Sequence, residues 1–184
     1  MFDNQLNRRD FLRMSGLCAL GSLVPGLVLA EETASTVAER SLSFRNVNTG
    51  ETLKTVFWAH EQYQPEAIAA INVLLRDHRT GEIKPIDRRL LDLLHTVTGQ
   101  LKTGEPIQVV SGYRSPQTNA MLRKRSHSVA KRSLHMEGQA VDIWIPGTGL
   151  SKLRKAAVGL HSGGVGYYPR SNFVHLDVGR VRQW

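Results

Sequence analysis

The chain has 184 residues, 41% of them apolar, and carries 24 Lys and Arg against 16 Asp and Glu for a net charge of +8. One cysteine, Cys18, excludes an intramolecular disulfide. The basic charge suits an anionic partner, and it arrives without any nucleic-acid-binding motif.

The N-terminus reads Asn7-Arg8-Arg9-Asp10-Phe11-Leu12-Arg13, followed by an apolar run from Met14 to Ala30. Paired arginines before Phe-Leu with a modest apolar run match a twin-arginine export signal. Gly16, Gly21, Pro25 and Gly26 break the run, which argues against a stable membrane span. Small and β-branched residues at Val28-Leu29-Ala30 place cleavage after Ala30. Leu17 precedes Cys18 where a lipidation site wants a small residue. The expectation is residues 1–30 as a signal peptide for the twin-arginine machinery, 31–40 as a flexible leader, and 41–184 as one domain in the periplasm. Cleavage leaves 154 residues, enough for a real core, and lowers the charge from +8 to +7 by removing three arginines and two aspartates.

Within the domain, Ser41–Val47 and Thr52–Ala59 alternate around Asn48-Thr49-Gly50-Glu51, a hairpin signal. Ile68, Ile71, Leu74 and Leu75 recur at helical spacing over 65–77, with Pro65 at the start. Asp87 is placed to cap a second helix running to Lys102, with Gly104 as its stop. Ile107–Ser111 reads as a short buried strand, 116–125 as a third helix and 126–132 as a basic exposed loop. A strand over 139–145 follows, then a helix over 150–160 opened by Ser151, then the final strands. The predicted fold is α+β: helices against a small, mainly antiparallel sheet.

The chemistry concentrates late in the chain. In Ser133-Leu134-His135-Met136-Glu137-Gly138-Gln139-Ala140-Val141-Asp142, Gly138 permits a tight turn and the next residues alternate, so Asp142 shares a face with Ala140 and Trp144. In Phe173-Val174-His175-Leu176-Asp177, His175 and Asp177 share a face. If the two strands pair, an imidazole from the turn, a carboxylate and a second imidazole converge. A bare inward carboxylate is costly unless paired or metal-bound, and three such ligands with an open position describe a catalytic zinc. Spacing alone leaves hydrogen-bonded core or surface roles open for each. Gly112 lets Arg114 project from a Ser-Gly-Tyr-Arg turn, where a guanidinium polarises a carbonyl or holds a carboxylate; a salt bridge is the alternative. Gly163-Gly164-Val165-Gly166-Tyr167-Tyr168 reads either as the wall of a substrate groove or as a tight turn feeding a strand.

The pattern Ser133-x-His135-x-x-Gly138-x-Ala140-x-Asp142 with a later strand histidine resembles the zinc signature of the LAS metallopeptidases. Across residues 41–184 the chain is most similar to the MepK-type murein endopeptidases, through Ser111–Ser115, Gly163–Pro169 and Phe173–Arg182. The resemblance implies a Zn(2+) site held by His135, Asp142 and His175, Arg114 as the substrate or oxyanion arginine, Tyr113, Tyr167 and Tyr168 near the substrate, and peptidoglycan stem peptides as the partner. It implies hydrolysis of a cross-link, with D-Ala-D-Ala carboxypeptidase activity or a non-catalytic peptidoglycan-binding module as alternatives. The chain departs from the pattern where relatives carry a general base shortly before the last histidine: Asn172 and Phe173 stand there. Asp177 is the expected base or ligand-orienting group, with Glu137 as the other candidate. Arg182 and Trp184 are expected to close the fold only.

Overall fold

The computed structural model describes residues 38–126 and 129–184; the expected signal peptide, Cys18, most of the leader and His127 lie outside them. Eight strands form one sheet: β1 (Arg40–Asn46), β2 (Thr52–Ala59), β3 (Gln62–Tyr63), β4 (Ile107–Ser111), β5 (Ala140–Trp144), β6 (Gly164–Tyr168), β7 (Phe173–Asp177) and β8 (Arg182–Gln183). Their order is β3-β2-β1-β4-β5-β7-β6-β8. All neighbours are antiparallel except β1 with β4 and β6 with β8. The α+β expectation holds, with a wider sheet than its few alternating runs suggested.

The helices are α1 (Pro65–Leu74), α2 (Arg88–Leu101), α3 (Pro116–Arg125) and α4 (Leu150–Gly159). Asp87 caps α2, its side chain accepting from the Arg89 amide, which satisfies one of the orphan donors at a helix start. Lys102, not Gly104, ends that helix, taking the left-handed conformation at φ 50°. Leu90, Leu91, Leu94 and Val97 on one face of α2 are fully buried. At about 1.5–3 kcal/mol per side chain, that stripe is a large part of what holds the helix to the sheet. Two further details differ from expectation. α1 stops at Leu74 rather than Asp77, because Asp77 turns inward to accept from the Ser115 amide at 2.8 Å. Ser151 does not cap α4; Gly149 holds that position with no side-chain cap.

Alternation in the central strands divides core from site. Val141 and Ile143 of β5 and Val174 and Leu176 of β7 are fully buried in the apolar core with α1, α2 and α4 residues. The other parity of the same strands carries Asp142, His175 and Asp177. Antiparallel register sets Asp142 directly opposite His175, and Gly166 of β6 opposite His175 on its other side. Paired residues share a face, so one pleat places the carboxylate, the imidazole and a side-chain-free gap in a row.

Candidate metal centre

His135 sits in a 3-10 turn, Leu134–Glu137, that ends at Gly138 with φ 67°. A Cβ at Gly138 would lie on the Pro85 carbonyl oxygen, so both the left-handed backbone and the close approach call for glycine. The segment after α1 holds this turn from behind: Lys84 Nζ donates to the Met136 carbonyl at 2.9 Å and the Asp87 amide to the Gly138 carbonyl at 3.0 Å. From the other side, the His135 ring reaches the Gly112 carbonyl through Nδ1 at 2.8 Å, and the Arg114 amide donates to the His135 carbonyl at 3.1 Å. Gly112 in turn packs so closely on Leu75 that a Cβ would lie on that carbonyl oxygen. The ligand turn and the Arg114 loop are therefore one clamped unit.

His135 Nε2, His175 Nδ1 and an Asp142 oxygen lie 3.1, 3.2 and 2.8 Å from one another. Those separations are close to the ~3.3 Å edge of a tetrahedron with ~2.0–2.1 Å zinc–ligand bonds. His135 and Asp142 are buried and His175 is nearly so. The proton positions follow from the partners. A carbonyl only accepts, so His135 carries its proton on Nδ1 and presents a lone pair from Nε2. Asp177 faces His175 Nε2 at 3.1 Å. Burial pushes the Asp177 carboxyl up, but hydrogen bonds from His175, Arg182 and the amides of Gly179 and Gly164 outweigh it and hold the group well below the usual carboxylate range. An ionised Asp177 keeps the His175 proton on Nε2, leaving the Nδ1 lone pair for the centre. Two imidazole lone pairs and a carboxylate oxygen then point at one spot, a donor set that fits a divalent cation. With no metal bound, a proton takes that place. Burial pulls His175 down, Asp142 and Asp177 pull it up, and the net result is about 8. Asp142 likewise stays ionised, because the two imidazoles overcome its desolvation.

The centre opens into a cleft of about 430 Å³ whose lining includes Arg114, Arg132, Tyr168, Phe173, Arg182 and Trp184. Arg114 is 12% exposed at its side chain, yet its contacts are long: 3.6 Å to Asp142, 3.5 Å to Asn119 and 3.4 Å to Ser111. Its Nε has no hydrogen-bond partner among the described residues. A guanidinium held that loosely beside the centre has donors to spare for a substrate oxygen.

Several expected site residues sit elsewhere. Tyr113 is buried, with its hydroxyl donating to Glu82 at 2.7 Å, and does not line the cleft; its neighbour Gly112 turns the chain so that only Arg114 faces the centre. Tyr167 and Tyr168 part by strand parity. Tyr168 is opposite Phe173 on the site face, whereas Tyr167 is opposite Val174 and packs toward the core beneath Arg154. Glu137 is exposed and pairs with Lys84 at 3.3 Å, outside the cleft. Asp177 is fully buried behind His175, gripped by Arg182 at 2.7 and 3.1 Å, and does not line the cleft. Arg182 and Trp184, expected to close the fold, line the cleft itself. No periodicity in the sequence points them at the cleft, because Arg182 lies in a two-residue strand and Trp184 follows it.

A family model described as peptidoglycan L,D-endopeptidase MepK matches residues 34–184. The chain is 46% identical over 178 residues to the peptidoglycan L,D-endopeptidase MepK of Escherichia coli K12, covering 97% of each. The Shigella flexneri protein of the same name matches with the same identity and coverage. With the clamped ligand turn, the caged Asp177 and the open arginine cleft all falling inside the matched span, the chain belongs to the peptidoglycan L,D-endopeptidase MepK family.

Proposed function

We propose that this protein is a periplasmic zinc peptidase that hydrolyses peptide cross-links of peptidoglycan, with His135, Asp142 and His175 as the metal ligands. The observation that carries the reading is the convergence of two imidazole lone pairs and a carboxylate oxygen within 3.2 Å of one another, at the floor of a cleft lined with arginine. Bound there, zinc supplies a Lewis acid that polarises the scissile carbonyl and lowers the pKa of water. The chain's own residues do the rest. Arg114, desolvated and with spare donors, binds the carbonyl oxygen as negative charge develops on it. Asp177 holds the proton of His175 on Nε2 and the ring in register, and Arg182 keeps Asp177 ionised. Tyr168, Phe173 and Trp184 wall the cleft and limit access of bulk water. The basic charge, +8 for the full chain and +7 after cleavage at Ala30, favours encounter with stem peptides bearing free carboxylates.

The test is a ligand series. His135→Ala, Asp142→Ala and His175→Ala, purified as folded domains, are expected to lose zinc and to stop cutting cross-linked muropeptide dimers. Full zinc content in all three would overturn the assignment. Trimming of a terminal D-alanine with dimers left intact would point to a carboxypeptidase, and no product at all to a binding module.

A further inference from the structure

Trp184 is held over the metal centre by more contacts than an end-of-sheet residue needs. Its ring lies 5.3 Å from that of His175, centroid to centroid. The Arg182 guanidinium sits over the same indole, 4.8 Å from its centroid. Main-chain hydrogen bonds tie it to β6, from its amide to the Val165 carbonyl at 3.2 Å and from the Tyr167 amide to its carbonyl at 2.9 Å. Despite this it is 47% exposed, so burial of apolar area does not account for its placement.

Gly166 shows that the placement is built in. It is the cross-strand partner of His175 and is not among the glycines with positive φ, so its backbone would accept any residue. What would not fit is the side chain: a Cβ there would come within 2.7 Å of the Trp184 ring. The strand leaves a gap beside the metal ligand, and the indole fills it.

The indole N–H donates to the Tyr168 hydroxyl oxygen at 2.7 Å. An indole nitrogen can only donate, so in this pair Tyr168 is the acceptor. The hydrogen of the Tyr168 hydroxyl is thereby left without a partner among the described residues, at the wall of the cleft. Three arginines of the same lining, Arg114, Arg132 and Arg182, are donors as well, beside the Ser133 and Ser171 hydroxyls and the Asp142 carboxylate at the centre.

We propose that Trp184 is a positioning residue of the cleft, fixing the Tyr168 hydroxyl as a hydrogen-bond donor to a carbonyl or carboxylate oxygen of the substrate peptide. The pair acts in binding and orientation rather than in bond cleavage. This rests on the cleft being the site of hydrolysis, and the test separates the two claims.

Trp184→Phe keeps a ring over His175 and removes the N–H. Tyr168→Phe keeps the ring stack on Phe173 and removes the hydroxyl. Each zinc-loaded variant, and the double variant, is assayed on a defined cross-linked muropeptide dimer. KM is expected to rise about three- to tenfold in each single variant, the range of one lost hydrogen bond, with kcat and zinc content near wild type. The double variant is expected to be no worse than either single one, since both remove the same contact. Calorimetric titration of chelator-treated protein with the product muropeptide is expected to show the same loss of affinity in both singles. Additive effects in the double variant would overturn the proposal. So would zinc loss in Trp184→Phe, which would make the indole a support for His175, or an unchanged KM. If the wild type cut nothing, the hydrolytic reading would fall, and the calorimetric comparison would still decide for or against the pair.

Discussion

Replacing Asp177 with Asn changes one oxygen for an NH2 group at nearly constant shape, and the geometry dictates where the damage goes. One Asp177 oxygen accepts from the amides of Gly164 and Gly179 and from Arg182, at 3.0, 2.9 and 3.1 Å. The other accepts from His175 Nε2 at 3.1 Å and Arg182 at 2.7 Å. The amide oxygen of Asn takes the position with three donors. Its NH2 then faces His175 and Arg182, donor against donor. His175 relieves the clash by moving its proton from Nε2 to Nδ1, the atom that points at Asp142 and His135. A protonated Nδ1 cannot bind a metal, so zinc affinity should fall by about 100-fold, the upper end of what loss of a ligand's hydrogen-bond partner costs. Loss of the ion pair between the fully buried Asp177 and the part-buried Arg182 should cost at most about 3 kcal/mol of stability, or a drop in Tm of up to roughly 6–12 °C for a domain of this size. The assay is a competition titration against a chromogenic zinc chelator, with turnover measured at saturating zinc. Turnover should return most of the way toward wild type once zinc is in excess. Wild-type zinc affinity with turnover down by about a hundredfold would refute this reasoning and make Asp177 the proton acceptor for the attacking water.

Other outcomes follow from the same geometry. His175 has its pKa raised from 6.5 to about 8 in the metal-free protein. Its contribution to stability is therefore full below about pH 6.5 and lost as pH rises through 8. Chelator-treated protein should lose about 2 kcal/mol between pH 6 and 9, while zinc affinity rises over the same range as the competing proton leaves; a flat metal-free stability profile would contradict the linkage. Gly112→Ala would put a methyl on the Leu75 carbonyl, shifting the carbonyl that holds His135. Reduced zinc affinity is expected even though residue 112 never meets the metal, and thermal denaturation with and without zinc checks it. Changing Arg8 and Arg9 to Lys should leave unprocessed precursor in the cytoplasm, which immunoblotting of cell fractions detects; normal processing would show that another export route operates.

How much of this was readable in advance depends on whether a feature is local. The period-two pattern around His175, the turn at Gly138 and the Asp87 cap are set by residues within a few positions, and each reappears in the structure. The convergence of His135, Asp142 and His175 needed one further assumption, that their strands are neighbours, and β5 does pair with β7. What stayed hidden depends on register. Tyr167 and Tyr168 look equivalent in sequence, yet which of them faces the cleft is decided by Gly166 standing opposite His175. Asp177 shares a face with His175 as alternation requires, but its closure behind that ring comes from Arg182 and from two amides at Gly164 and Gly179, groups that no local pattern links. Trp184 reaches the centre because β8 pairs in parallel with β6, a contact with no signature in a two-residue strand.

The most direct test of zinc-dependent cross-link hydrolysis is digestion of purified, defined muropeptide dimers by the folded domain, with products read by mass. The prediction is cleavage of the cross-link into monomers, abolished by a chelator, restored by zinc, and absent in His175→Ala. Cleavage that persists at full rate in the chelated protein would contradict it.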